Sequence, residues 1–181
     1  NAFKKLILPM VAVVMFFSSC KDDDPVAPAA TLYDELGGTA MVADPNNAGS
    51  QIEKGRLGIR SVVDSTIFII AGDSRLTKFF PVLLSEVGAG NLSGFSALSK
   101  NLTDFISIGA GATSYTYTGD SMKDAHDPAK NPRMAEKAAN ADMDAFIDDV
   151  VKGAKKVGVP DAQIAKVGAV LESLRADIVQ K

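Results

Sequence analysis

Apolar residues recur at steps of three and four along four stretches of the chain, the spacing of a helix with one buried side. In residues 51–71 the positions are Ile52, Ile59, Val62, Val63, Ile67 and Ile70. In 95–108 they are Leu98, Leu102, Phe105 and Ile106, and in 140–157 Met143, Phe146, Ile147, Val150, Val151, Ala154 and Val157. The last stretch carries Ile164, Val167, Leu171, Leu174 and Ile178. Within the first, STIFII (65–70) is rich in β-branched residues and reads as a strand by propensity alone. The helical pattern runs through it, so one helix over Gln51–Ala71 is predicted.

Shorter pieces lie between. TLYDELGG (31–38) predicts a short helix ended by Gly37 and Gly38, since glycine tolerates a left-handed cap. ADPNNAGS (43–50) is a polar loop. DSRLTKFFPVLLSEV (73–87) predicts a turn and a short apolar helix with Asp73 or Ser74 as its N-cap. GAGNLSG (88–94) and GAGATS (109–114) are breaks; the second lacks the Gly-Lys-Ser/Thr ending of a phosphate-binding loop. Met122–Ala125 is too short for a stable isolated helix, and two prolines break up HDPAKNPRM (126–134). GVP (158–160) puts Gly158 past one helix and Pro160 just inside the next. The expected fold class is all-α: long amphipathic helices and several short pieces around one core.

The first twenty residues stand apart. Lys4 and Lys5 precede an apolar run from Leu6 to Phe17, followed by Ser18, Ser19 and Cys20. The run is short for a bilayer span and suits a secretory signal. FSSC resembles a bacterial lipobox, in which the cysteine becomes the lipidated first residue of the mature protein. Cys20 is the only cysteine, so it has no disulfide partner in the chain. Residues 21–30, KDDDPVAPAA, read as a solvated tether. Their acidic run has no calcium-ligand spacing. A Cys-Lys-Asp-Asp start also resembles export signals of surface lipoproteins in Bacteroidetes-type bacteria. The expected organisation is a signal peptide over 1–20, a tether over 21–30 and one domain over 31–181. The expected location is that of an exported bacterial lipoprotein, anchored by lipid in the outer membrane and facing the periplasm or the cell surface.

Composition adds little beyond exclusions. Apolar residues make up 46% of the chain and charged residues 23%, with a net charge of −3. No basic patch is visible, so nucleic acid is not an expected partner. Chemistry concentrates on one residue. YTGDSMKDAH (117–126) ends in His126, the only histidine. A lone histidine is most often a surface residue or a hydrogen-bonded core residue. No nucleophile pairs with it, and one histidine and one cysteine cannot build a zinc site of three or four strong ligands. Haem iron needs only one protein ligand, because the porphyrin supplies four nitrogens.

The motif order from Thr31 to about Val179 resembles the group 1 truncated haemoglobins. The matching blocks are TLYDELGG, VVD (62–64), DSRLTKFF (73–80), LSKNLTDFI (98–106), the glycine break, YTGDSMKDAH, MDAFIDDV (143–150) and KKVGVP (155–160). The resemblance implies a truncated globin-like two-over-two helical sandwich around haem b. It makes His126 the proximal iron ligand and puts Phe80 against the haem face. It places Leu98 and Leu102 on the distal helix, and Phe105, Tyr117, Met122 and Phe146 on pocket walls. Plain core packing is the competing reading of each apolar residue.

Departures from the family pattern are informative. A tyrosine that hydrogen-bonds bound oxygen is usual in the second helix; the corresponding positions here are Thr66 and Ile67. A distal glutamine corresponds to Leu102, with Asn101 beside it. Two insertions fall around ADPNNAGSQIEK and HDPAKNPRMAEKAANAD. Asp124, Asp127 or a backbone carbonyl could orient the imidazole. The leading functional reading is a lipid-anchored haem protein binding oxygen, carbon monoxide or nitric oxide, rather than an enzyme. The alternatives are a haem-dependent nitric oxide dioxygenase or peroxidase, and a haem-free globin scaffold that serves interactions. The sequence names no redox partner, physiological ligand or oligomeric state.

Overall fold

A computed structural model describes residues 29–181. The stretch read as a signal peptide, Cys20 and residues 21–28 of the expected tether lie outside the described residues. Eight helices and one small hairpin follow in order: α1 (Leu32–Glu35), β1 (Met41–Ala43), β2 (Gln51–Glu53), α2 (Lys54–Ile70), α3 (Pro81–Gly88), α4 (Ser93–Gly109), α5 (Met122–Ala125), α6 (Asn140–Lys156), α7 (Asp161–Glu172) and α8 (Arg175–Ile178). A short 3-10 turn, Thr77–Phe79, precedes α3.

Four long helices close a ring. α2 packs on α4 and on α6, and α7 packs on α6 and on α4. The all-α expectation therefore holds, and the pairs α2/α4 and α6/α7 lie one on the other. Three helices bury much of the stripe the sequence marks: Ile59, Val62, Val63, Ile67 and Ile70 on α2, Met143, Val150 and Ala154 on α6, Ile164, Val167 and Leu171 on α7. On α4 only Ile106 of the marked positions is buried, beside Ser99, Thr103, Asp104 and Ser107. The buried residues fall into two groups. One gathers Leu76, Phe79, Ala138 and the inner faces of α6, α7 and α8. The other gathers Tyr33, Ile106, Ala110 and Ala112, with Leu98 and Leu102 packed against it.

The structure corrects several boundaries. The helix expected from Gln51 begins at Lys54, because Gln51–Glu53 pair antiparallel with Met41–Ala43 in the register Val42 to Ile52. Three-residue strands are too short for the alternation that marks a strand in sequence. Ile52 turns inward, and Glu53 accepts a 2.6 Å hydrogen bond from the buried Tyr33 hydroxyl. The loop between the strands is tied to α2 by Arg60, whose two terminal nitrogens donate to Asp44 at 3.2 and 2.6 Å.

Neither Asp73 nor Ser74 caps α3. The N-cap is Phe80, with Pro81 at the first helical position, where its missing N–H costs nothing. Asp73 instead accepts from the Arg75 amide and guanidinium and closes the turn after α2. Pro160 is the N-cap of α7 rather than inside it. The last helix divides into α7 and α8 around Ser173 and Leu174. Past α8 the chain meets the strand-like Ala138, where the Gln180 amide donates to the Ala138 carbonyl at 3.0 Å.

Candidate functional site

Between the two apolar groups lies a cavity of about 370 Å³. One wall comes from α2 and α4: Ile67, Leu98, Asn101, Leu102 and Phe105. The facing wall comes from α5, the following loop and α6: Met122, His126, Met134, Met143 and Phe146. Phe80 and Leu83 line it from the segment between α2 and α4, and Tyr117 from the loop before α5. Phe80, Leu98, Leu102, Phe105, Tyr117, Met122, His126 and Phe146, distant in sequence, thus border one space. Each apolar member also packs on a neighbouring core group or ring, so cavity wall and core coincide here.

His126 owes its place to a single helical turn. Ser121 caps α5, its Oγ accepting from the Asp124 amide at 3.1 Å. The turn ends at His126, whose Nδ1 lies 2.8 Å from the Met122 carbonyl oxygen. A carbonyl only accepts, so Nδ1 carries the proton and Nε2 keeps its lone pair. Neither Asp124 nor Asp127 has this role. Burial pushes the imidazole below the ordinary histidine range, opposed by the bond to Met122. The ring is therefore neutral near pH 7, the form that ligates metals. Behind it, Asn131 Nδ2 donates to the Ala125 carbonyl at 2.8 Å and holds the loop against α5.

Tyr117 packs edge-on against Phe105, with ring centroids 5.3 Å apart. Its hydroxyl donates to the Asp120 carbonyl at 2.8 Å, so its polar end turns back toward its own loop. The two positions matched to the missing tyrosine separate. Thr66 is buried away from the cavity lining, with Oγ1 donating to the Val62 carbonyl at 2.8 Å, while Ile67 lines the cavity. Asn101 is the one amide on the α2/α4 wall.

The structure adds charged groups that sequence spacing does not reveal. Arg133 and Asp142 both line the cavity. Arg133 is held by Glu86 of α3 through two hydrogen bonds of 2.9 and 2.6 Å. Asp142 caps α6 by accepting from the Ala139 amide at 2.8 Å and pairs with Lys78 at 2.9 Å. Burial raises its carboxyl, but that amide and Lys78 more than offset it and leave it below the usual range. Partners so far apart in the chain leave no periodic signal.

Comparison with solved structures decides the fold. The truncated haemoglobin of Tetrahymena pyriformis in its Fe(III) form superposes with a TM-score of 0.57 at 22% identity. The match covers 84% of this chain and all of that one. Two mutants of the same protein, one with phenylalanine for a tyrosine and one with glutamate for a glutamine, give 0.57 and 0.58 at the same identity and coverage. This is the truncated globin fold. No family model and no curated protein matches the sequence. The two stretches read as insertions in the sequence fall on the β1–β2 hairpin and on the long loop from His126 to α6, which carries Asn131 and Arg133.

Proposed function

We propose that the cavity holds an iron porphyrin, haem b, with His126 as its protein ligand, and that the protein binds a small diatomic molecule there. The observation that carries this is the hydrogen bond from His126 Nδ1 to the Met122 carbonyl. It fixes the tautomer and leaves Nε2 of a neutral imidazole as the free donor of a cavity residue. The remaining lining fits a flat apolar ring: Leu98, Leu102 and Phe105 on one side, Met122, Met143 and Phe146 on the other. Iron in such a ring supplies a coordination position open to oxygen, carbon monoxide or nitric oxide.

The chain's own residues then set the behaviour. Met122 fixes the orientation of the imidazole through its carbonyl. The leucines and phenylalanines exclude water. Ile67 and Leu102 give the α2/α4 wall no strong hydrogen-bond donor, and Asn101 is its only amide. That composition favours simple ligand binding over the oxygen chemistry of a dioxygenase or peroxidase, which calls for polar groups beside the ligand. The lipobox-like FSSC and the tether after it support export as a lipoprotein anchored through Cys20.

An absorption spectrum tests the reading. The full chain supplied with haem should show a strong Soret band that collapses or shifts in His126→Ala. A folded helical protein that retains no haem would instead leave a globin scaffold used for another kind of binding.

A further inference from the structure

Among the described residues that line the cavity Arg133 is the only cation, and Asp120 and Asp142 also stand there. It reaches the cavity from the loop between α5 and α6 and is half exposed there. Both its terminal nitrogens are taken by Glu86, which comes from α3. Gly94, in the first turn of α4, is the floor beneath them: a Cβ at that position would collide with the Glu86 carboxylate and the Arg133 guanidinium. The pair thus ties α3 to the loop before α6, pressed onto bare backbone at Gly94 beside the cavity wall. Guanidinium and carboxylate meet here in the fork geometry that any carboxylate can adopt.

We infer that Arg133, Glu86 and Gly94 form a carboxylate-exchange subsite at the rim, in which Arg133 takes a carboxylate borne on the edge of the bound macrocycle and Glu86 competes for the same guanidinium. This rests on the haem reading, haem being a macrocycle with two propionates. Glu86 is the built-in competitor, so the protein holds its ligand less tightly than its apolar walls alone would allow. No covalent step is involved; one ion pair is exchanged for another.

The test measures haem loss from the full chain to an excess of a haem-scavenging apoglobin, for haem and for haem dimethyl ester. Glu86→Gln removes the competitor's charge and should slow loss of haem about threefold. Arg133→Gln should speed it about fivefold, the scale of one solvent-facing ion pair. Arg133→Lys should restore part of the retention. The dimethyl ester has no free carboxylates and should leave all variants at one rate. Equal haem loss from every variant, with the Soret band intact, overturns the subsite and leaves the haem reading standing. So does an Arg133→Gln effect that persists with the ester, because the role is then structural. Absence of a Soret band from the wild-type chain overturns both. Should Arg133→Gln fail to fold by circular dichroism, Glu86→Gln decides alone: slower loss supports the subsite, unchanged or faster loss overturns it.

Discussion

Gly153 of α6 lies directly against Thr66 of α2: a Cβ on Gly153 would sit 2.5 Å from Thr66 Oγ1 and 3.0 Å from its backbone nitrogen. This contact turns Thr66 toward α6, so its neighbour Ile67 faces the cavity. Gly153→Ala should therefore destabilise the fold by about 1–3 kcal/mol, the scale of overpacking a filled core. Thr66→Ala should relieve only part of that, since the backbone of Thr66 is also in the way. Urea midpoints of the two single variants and the double variant measure both effects.

Ile67 lines the cavity from α2, so on the proposed haem reading a donor placed there would face a bound ligand. Ile67→Tyr should slow oxygen release about five- to thirtyfold, the effect of one added hydrogen bond of roughly 1–2 kcal/mol. Carbon monoxide, which gains less from a donor, should be released at a rate much closer to wild type. Stopped-flow release of the two gases gives the ratio. Equal slowing of both would show that the tyrosine acts by bulk.

Ser121 holds the one-turn helix that presents His126. Ser121→Ala removes the acceptor for the Asp124 amide and should cost about 1 kcal/mol. Because α5 has only one turn, the loss should also loosen the imidazole. Haem retention should fall together with the thermal midpoint, whereas a cap removed elsewhere would lower the midpoint alone.

Asp104 supplies a pH dependence with a definite sign. It is buried between Arg56 at 2.5 Å and Lys100 at 2.7 Å. Burial raises its carboxyl, but the hydrogen bonds from Lys100 and Arg56 override this and hold it below its ordinary value. A depressed carboxyl stabilises the fold above its unfolded pKa, about 4, and that contribution is lost as the pH falls through the folded value. The midpoint advantage of wild type over Asp104→Asn should be present at neutral pH and narrow on acidification from about pH 5 to 3. A gap that widens on acidification would reverse the assignment.

The helical ring was legible because its signal is periodic: Val62, Val63 and Ile67, or Met143, Val150 and Ala154, mark buried stripes that tertiary packing keeps. Three features escaped. The β1–β2 hairpin has strands too short to alternate, and Ile52 satisfied a helical template just as well. The α3 cap was misplaced because Asp73 is as good a turn former as an N-cap, and only its pairing with Arg75 separates the two. The Arg133–Glu86 and Asp142–Lys78 pairs join residues whose chain separation carries no information. Spacing alone does not distinguish a wall residue such as Leu102 from ordinary core; only the resemblance singled it out.

α2 belongs to both apolar groups at once: Val62 and Ile70 lie in one, Ile59, Val63 and Ile67 in the other. The cavity separates what this single rod joins. Such an object behaves like a book with α2 as its spine. Because α2 packs into both groups, backbone amides along it should be the last in the molecule to exchange with solvent. On the proposed haem reading, a spine shared by both groups would let the helical ring form before a ring-shaped group enters between them.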